Sequence, residues 1–297
     1  MRNVIKENKL VIFLFIPMIL LGLGLLLYPF ISNRISVGHY QKVIQTYDKK
    51  VSEETRDANN KLLMDAREYN RSLSFGEVVD VFQNPEVKNS DRYLSILNIN
   101  DNGMMGYISI PKIDVRIPIY HGTTSDVLQK GVGHLEGSSF PVGGESTHAI
   151  LSAHRGLPSS KLFTDLDQLK KGDIFYIYIL NQVLAYQVDQ VLVTEPSETD
   201  ALRIVDGKDY ITLVTCTPYA INTHRLLVRG ERIEYNEQVE KDIEVDYALS
   251  TADIVLYISL VIALLLIVVA IICFIKSRKN RQNPKDVETN SSDIEVI

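Results

Sequence analysis

Residues 213–230 read LVTCTPYAINTHRLLVRG. Two runs rich in Leu, Val and Thr, each short enough for one strand, flank the connection PYAINT. Paired through that connection, the two strands would set Cys216 and Arg225 near the same end of a sheet. A strand end feeds a loop, where a reactive group is held on a rigid scaffold yet stays reachable. Cys216 is one of only two cysteines in 297 residues.

Outward from this pair the pattern stays β-rich. From Gly106 onward, GYISI, VRIPIY, HAILSA, IFYIYI, VLAYQVDQVLV, YITLVTC and RLLVRGERI are rich in Val, Ile and Tyr, and most are separated by Gly, Pro, Asn or Asp. Two short helices are predicted among them, over Ser125–Lys130 and Ser160–Leu169, the second opening on a Ser cap and stopping at Lys-Lys-Gly. Many short strands with few helices predict a mainly β domain closed, or nearly closed, into a barrel. Before it, Ile44, Tyr47, Val51, Ala58, Leu62, Ala66 and Tyr69 recur at helical spacing, so 41–70 reads as one or two amphipathic helices. Residues 72–102 keep no period and read as a long loop with a short helix at Asp91–Leu97; loops of that length often serve as lids or binding loops.

Two charge-free runs, Leu10–Ile31 and Ile254–Ile275, bracket all of this. At about 22 residues each they match a ~30 Å hydrocarbon core and are expected to be transmembrane helices. The first is long for a signal-peptide core and has no small-residue cleavage site after it, so an uncleaved anchor is expected. Arg2, Lys6 and Lys9 precede the first run, and Lys276, Arg278, Lys279, Arg281 and Lys285 follow the second. Both termini are therefore expected in the cytoplasm, with roughly 33–252 outside the cell membrane. The expected organisation is a cytoplasmic start (1–9), a span (10–31), a helical region (33–71), a lid-like loop (72–102), the β domain (103–236), a membrane-proximal segment (237–252), a second span (254–275) and a disordered cytoplasmic tail (276–297).

Cys273 falls in the second run, which leaves Cys216 alone in the outer domain with no intrachain disulfide partner. An exported domain without disulfides suits a Gram-positive-like envelope. The thiol is then either a buried structural group or a working nucleophile. A nucleophile would need a nearby imidazole or cation. His39 lies near the membrane. His154 sits at a strand end after AILSA, while His121, His134, His148 and His224 fit structural roles equally well. Arg225 would either stabilise an oxyanion or merely solvate a strand edge or pair with a carboxylate. No Cys/His pair has metal-ligand spacing, no Gly-rich loop opens a helix, and the domain is not basic enough for nucleic acid.

Thr212–Gly230 resembles the active-site signature of sortases, the cysteine transpeptidases of Gram-positive envelopes, and HAILSAHRG (His148–Gly156) resembles their histidine strand. GHLEGSSFPVGG, SKLFTDLDQLKKGD, YQVDQVLVTEP and the two apolar runs are similar to the class C, pilus-assembling group. The resemblance covers roughly 37–275. It implies a sortase-type barrel of about eight strands, with Cys216 as nucleophile, His154 as general acid/base and Arg225 as the substrate-carbonyl and oxyanion partner. It also implies no cofactor and no metal. The implied substrates are pilin subunits that bear LPXTG-like sorting signals and an acceptor lysine. In VVDVFQNPE, Asp80 and Phe82 stand at the Asp and aromatic positions of the class C lid motif, and Val81 replaces its proline. The alternatives are a housekeeping-type enzyme that uses a cell-wall precursor amine, and a non-enzymatic two-span receptor.

Overall fold

A computed structural model describes residues 2–73 and 90–242, with a few further helical positions between 257 and 271. Contacts divide the chain at Val245/Asp246 into two units. The first begins with α1 (Arg2–Glu53), one continuous helix that contains the whole 10–31 run, followed by α2 (Arg56–Ser72) and the short α3 (Asp91–Ser95). Among the described residues no helix is long and apolar enough to cross a membrane. The two expected spans are therefore not established by the fold, and most of the second lies outside the described residues.

Eight strands follow: β1 (Met104–Ile110), β2 (Val115–His121), β3 (Val132–His134), β4 (Thr147–Ser152), β5 (Ile174–Ile179), β6 (Gln182–Thr194), β7 (Asp209–Thr217) and β8 (His224–Ile233). They close a barrel in the order β1-β2-β3-β4-β7-β8-β6-β5. Closure leaves no unpaired edge. The predicted barrel is thus present, and β3 is the strand missing from the runs read in the sequence. Three residues of Val-Gly-His carry too little alternation to register as a strand.

Ile211, Leu213, Leu226 and Val228 join the main core inside the barrel. Gly230 belongs to the same packing: a Cβ there would lie 2.6 Å from the Phe175 ring. The alternate residues Val214 and Leu227, with Ile150, Leu202, Leu135 and Leu192, form a separate apolar cluster on the outer face. That division follows the two-residue period of the strands.

The predicted helical periodicity before the barrel holds with a phase change. Tyr40, Ile44, Tyr47 and Val51 of α1 are buried, and the Tyr47 hydroxyl donates to the Met105 carbonyl at 2.9 Å and accepts from the Leu180 N–H at 2.8 Å. The helix breaks at 54–55, where Thr55 caps α2 by accepting from the Ala58 N–H. In α2 the buried apolar residues are Leu63, Ala66 and Tyr69, and the expected Ala58 and Leu62 are only half-buried. A helix α4 occupies Ser125–Lys130 as predicted.

The helix expected over Ser160–Leu169 is not formed. Only a 3-10 turn at Leu166–Gln168 appears there, among other turns. The chain leaves the right-handed helical path at Leu162 and closes i→i−3 turns instead, the Thr164 N–H donating to the Lys161 carbonyl and the Leu166 N–H to the Phe163 carbonyl. The Lys161 N–H goes to Asn33 Oδ1 at 2.8 Å, the Phe163 N–H goes to the His154 carbonyl at 3.2 Å, and Leu162 has a φ of 41°.

Candidate active site

β7 and β8 pair antiparallel with Cys216 directly opposite Arg225. Directly opposed residues point to the same face with Cβ atoms about 4.5–5.5 Å apart. Cys216 shares the parity of Val214, and Arg225 that of Leu227, so both sit on the outer face, just beyond the apolar cluster. Both are buried, at 9% and 7% exposure. Arg225 Nη1 donates to the carbonyls of Asn222 and His224, at 3.3 and 3.2 Å, which holds the guanidinium against the β7–β8 connection.

The histidine comes from a different neighbour. β4 runs parallel to β7, with Ser152 opposite Val214. The next residue is stitched to β7 twice. The Ala153 N–H donates to the Val214 carbonyl at 3.2 Å, and the Thr215 hydroxyl donates to the Ala153 carbonyl at 2.8 Å. This register carries His154 out of the sheet at the level of Cys216. Three adjacent strands thus deliver Cys216, Arg225 and His154 to one end of the barrel. His154 is half-buried, and burial lowers its pKa from the usual 6.5. An imidazole that takes a proton at one stage and returns it at another suits acid/base work at an acyl centre.

The other histidines go elsewhere. His121 and His134 are buried in the core among Tyr93 and Phe140, with burial holding His134 down to about 3. His148 lies on the outer face at the far end of β4, between the Arg203 carbonyl (2.8 Å) and the Thr212 hydroxyl (2.7 Å). His39 and His224 are at least partly exposed. Asp80 and Phe82, the expected lid residues, lie outside the described residues. Among the described residues no cluster of His, Cys, Asp and Glu could hold a metal ion. A cleft of about 1070 Å³ opens at the opposite pole, beside Arg71, Asp209 and Arg232, with Cys216 not among its walls.

The sequence reading missed two parts of the site. One is the buried apolar cluster of Ile150, Val214 and Leu227 with Leu192 beside the thiol, which is recognisable only once strand parity and neighbours are known. The other is Arg155, whose only signal was its place beside His154.

A buried thiol, an opposed guanidinium and a strand-end imidazole on one face of a barrel are the groups that cysteine acyl transfer needs. The sortase domain model matches residues 108–233, which contain all three groups. Sortase C of Streptococcus pneumoniae superposes with a TM-score of 0.61 at 48% identity, covering 65% of this chain and 97% of that one. Sortase C-1 of Actinomyces oris gives 0.58 at 45% identity, covering 60% and 99%. Among curated relatives, sortase D of Bacillus subtilis is 29% identical over 131 residues, 43% of this chain and 63% of that protein. The chain thus spans somewhat less than two thirds of the length of that relative. The chain belongs to the sortase family, and the two solved structures compared above are sortases C.

Proposed function

We propose that this protein is a pilin-joining transpeptidase with Cys216, His154 and Arg225 as its catalytic residues. His154 takes the proton of the Cys216 thiol, and the thiolate attacks the Thr carbonyl carbon in the Thr–Gly bond of an LPXTG-like sorting signal. Arg225 stabilises the oxyanion that develops. The C–N bond breaks, the glycine amine leaves with a proton from His154, and a thioester remains. A lysine Nζ of a second pilin then attacks the thioester, loses its proton to His154 and expels the thiolate. The product is an isopeptide bond between subunits. The carrying observation is the convergence of the three residues from β4, β7 and β8 on one face. The likeness to class C structures, one of them a pilus-related sortase C of group B Streptococcus at 41% identity, supports pilin as the substrate class.

The apolar runs at 10–31 and 254–275, with cations on their outer flanks, support two membrane spans, cytoplasmic termini and a barrel outside the cell. The housekeeping reading differs in the acceptor amine, and sortases A are among the curated relatives.

Incubation of the protein with pilins carrying an LPXTG-like signal should give covalent ladders on a denaturing gel, which Cys216→Ala and His154→Ala abolish. Ladders from the Cys216→Ala variant would refute the assignment. Transfer to a cell-wall precursor amine, with no pilin ladder, would favour the housekeeping reading.

A further inference from the structure

The chain leaves β4 through His154, Arg155 and Gly156, and it leaves β7 through Cys216, Thr217, Pro218 and Tyr219. Neither exit is regular secondary structure beyond Thr217, so something other than the sheet ladder must hold the two together past Ala153. Arg155 spans this gap. Its Nη1 donates to Thr217 Oγ1 at 2.8 Å, its Nε donates to the Thr164 carbonyl at 3.2 Å, and its Nη2 pairs with the Asp167 carboxylate. The side chain is only 9% exposed while that of Asp167 is 50% exposed. The contact is continued one residue on. The Gly156 N–H donates to Thr164 Oγ1 at 3.1 Å, and a Cβ on Gly156 (φ 75°) would lie 2.8 Å from the Tyr219 ring.

We propose that Arg155 is a positioning residue for acyl transfer, whose guanidinium ties the segment carrying His154 to the residue that follows Cys216. This rests on the reading that Cys216 and His154 carry the reaction. The three contacts run from three nitrogens in different directions, toward a hydroxyl, a carbonyl and a carboxylate. A planar fork meets all three at once, and a single ammonium cannot. Removing the fork leaves the sheet intact up to Ala153 and the Phe163–His154 backbone bond in place, and loosens the tie between the segment carrying His154 and Thr217. Misplacement of a reacting group by about 1 Å costs roughly 10²-fold in rate.

The test uses the full chain with Arg155→Gln, Arg155→Lys, Thr217→Val and Cys216→Ala. Turnover is measured on an LPXTG-like peptide, and the rate of Cys216 alkylation by iodoacetamide is followed against pH. The Cys216→Ala variant supplies the background from Cys273. In Arg155→Gln, kcat should fall about 10- to 100-fold with little change in KM, and the pH profile of alkylation should move toward that of an ordinary thiol. Arg155→Lys should recover part of both. Thr217→Val, which removes only the hydroxyl, should shift both in the same direction by less, and it carries the test if Arg155→Gln does not fold. Unchanged kcat and pH profile in the folded variants would overturn the proposal. So would a loss of turnover that only follows a lower folded fraction, with the profile unmoved. Turnover by Cys216→Ala would instead sink the underlying assignment of the site.

Discussion

Acidification should destabilise this protein through His148, and the size of the effect follows from its surroundings. His148 is 1% exposed, and burial, with the positive charge of Arg229 adding to it, pushes its pKa from 6.5 down to about 4. The Arg203 carbonyl only accepts, so Nδ1 carries the proton and Nε2 accepts from the Thr212 hydroxyl. A second proton would arrive at Nε2, where Thr212 must turn its hydroxyl to receive it. Because the folded pKa lies below the unfolded one, the unfolded chain takes up the proton first. The contribution of neutral His148 is complete above pH 6.5, shrinks as pH falls through the interval from 6.5 to about 4, and is gone below it. At pH 5 the unfolded imidazole is almost fully charged and the folded one almost neutral, which removes about 2 kcal/mol relative to pH 8. The assay is urea denaturation at pH 8 and pH 5, followed by tyrosine emission, since the chain has fifteen tyrosines and no tryptophan. His148→Gln loses hydrogen bonds at both pH values, a constant offset, but it should lose about 2 kcal/mol of the difference between them. If parent and variant show the same difference, His148 is not held neutral by burial and the reasoning fails.

Gly230→Ala should destabilise the barrel by about 1–3 kcal/mol, because the added methyl meets the buried Phe175 ring and the Tyr186 Cβ with no room to shift; an unchanged midpoint in thermal unfolding would contradict that packing. Arg225→Lys should cut turnover on an LPXTG-like peptide by about 10²-fold, the scale for losing an oxyanion donor, and near-normal kcat would mean that a point charge suffices. On the α1 side, Ser32 and Ser36 hydroxyls donate to the Ser159 carbonyl at 3.1 and 2.9 Å, and Tyr40 meets Ser160 at 2.8 Å. Tyr40→Phe with Ser36→Ala should therefore speed proteolytic cleavage within 157–161 at least several-fold, and an unchanged cleavage rate would show that α1 does not hold this segment.

Much of the barrel was legible because strands two-sided in burial and rich in Val, Ile and Tyr announce themselves locally. The Cys216–Arg225 pair was legible for the same reason. Two strands joined by a short connection have their register set by neighbours in the chain, so nine residues of spacing were enough to bring the ends together. β3 was not legible, since three residues hold no period. The misplaced helix over Ser160–Leu169 failed for a different reason. Its capping and apolar signals are real, but contacts from α1, 120 or more residues earlier in the chain, anchor 159–161, and Leu162 turns out of the right-handed helical region.

The choice among histidines belongs to the tertiary structure as well. Residue type and strand-end position left six candidates with His154 only one of the better placed, and the resemblance to sortases named it. Sequence by itself determined the two strands that bring Cys216 and Arg225 to one end of a sheet, and the succession of short strands with few helices that points to a closed or nearly closed barrel. Only the fold decided that β4 lies beside β7, parallel and in a register that lifts His154 to the thiol while leaving His148 at the other end. Parallel neighbours are joined by long excursions, and no local interaction along the chain specifies which strand will lie alongside or where it will stop. That is settled when the whole barrel closes around its core, and Arg155, bridging two strand exits 62 residues apart, acquires its partners only then.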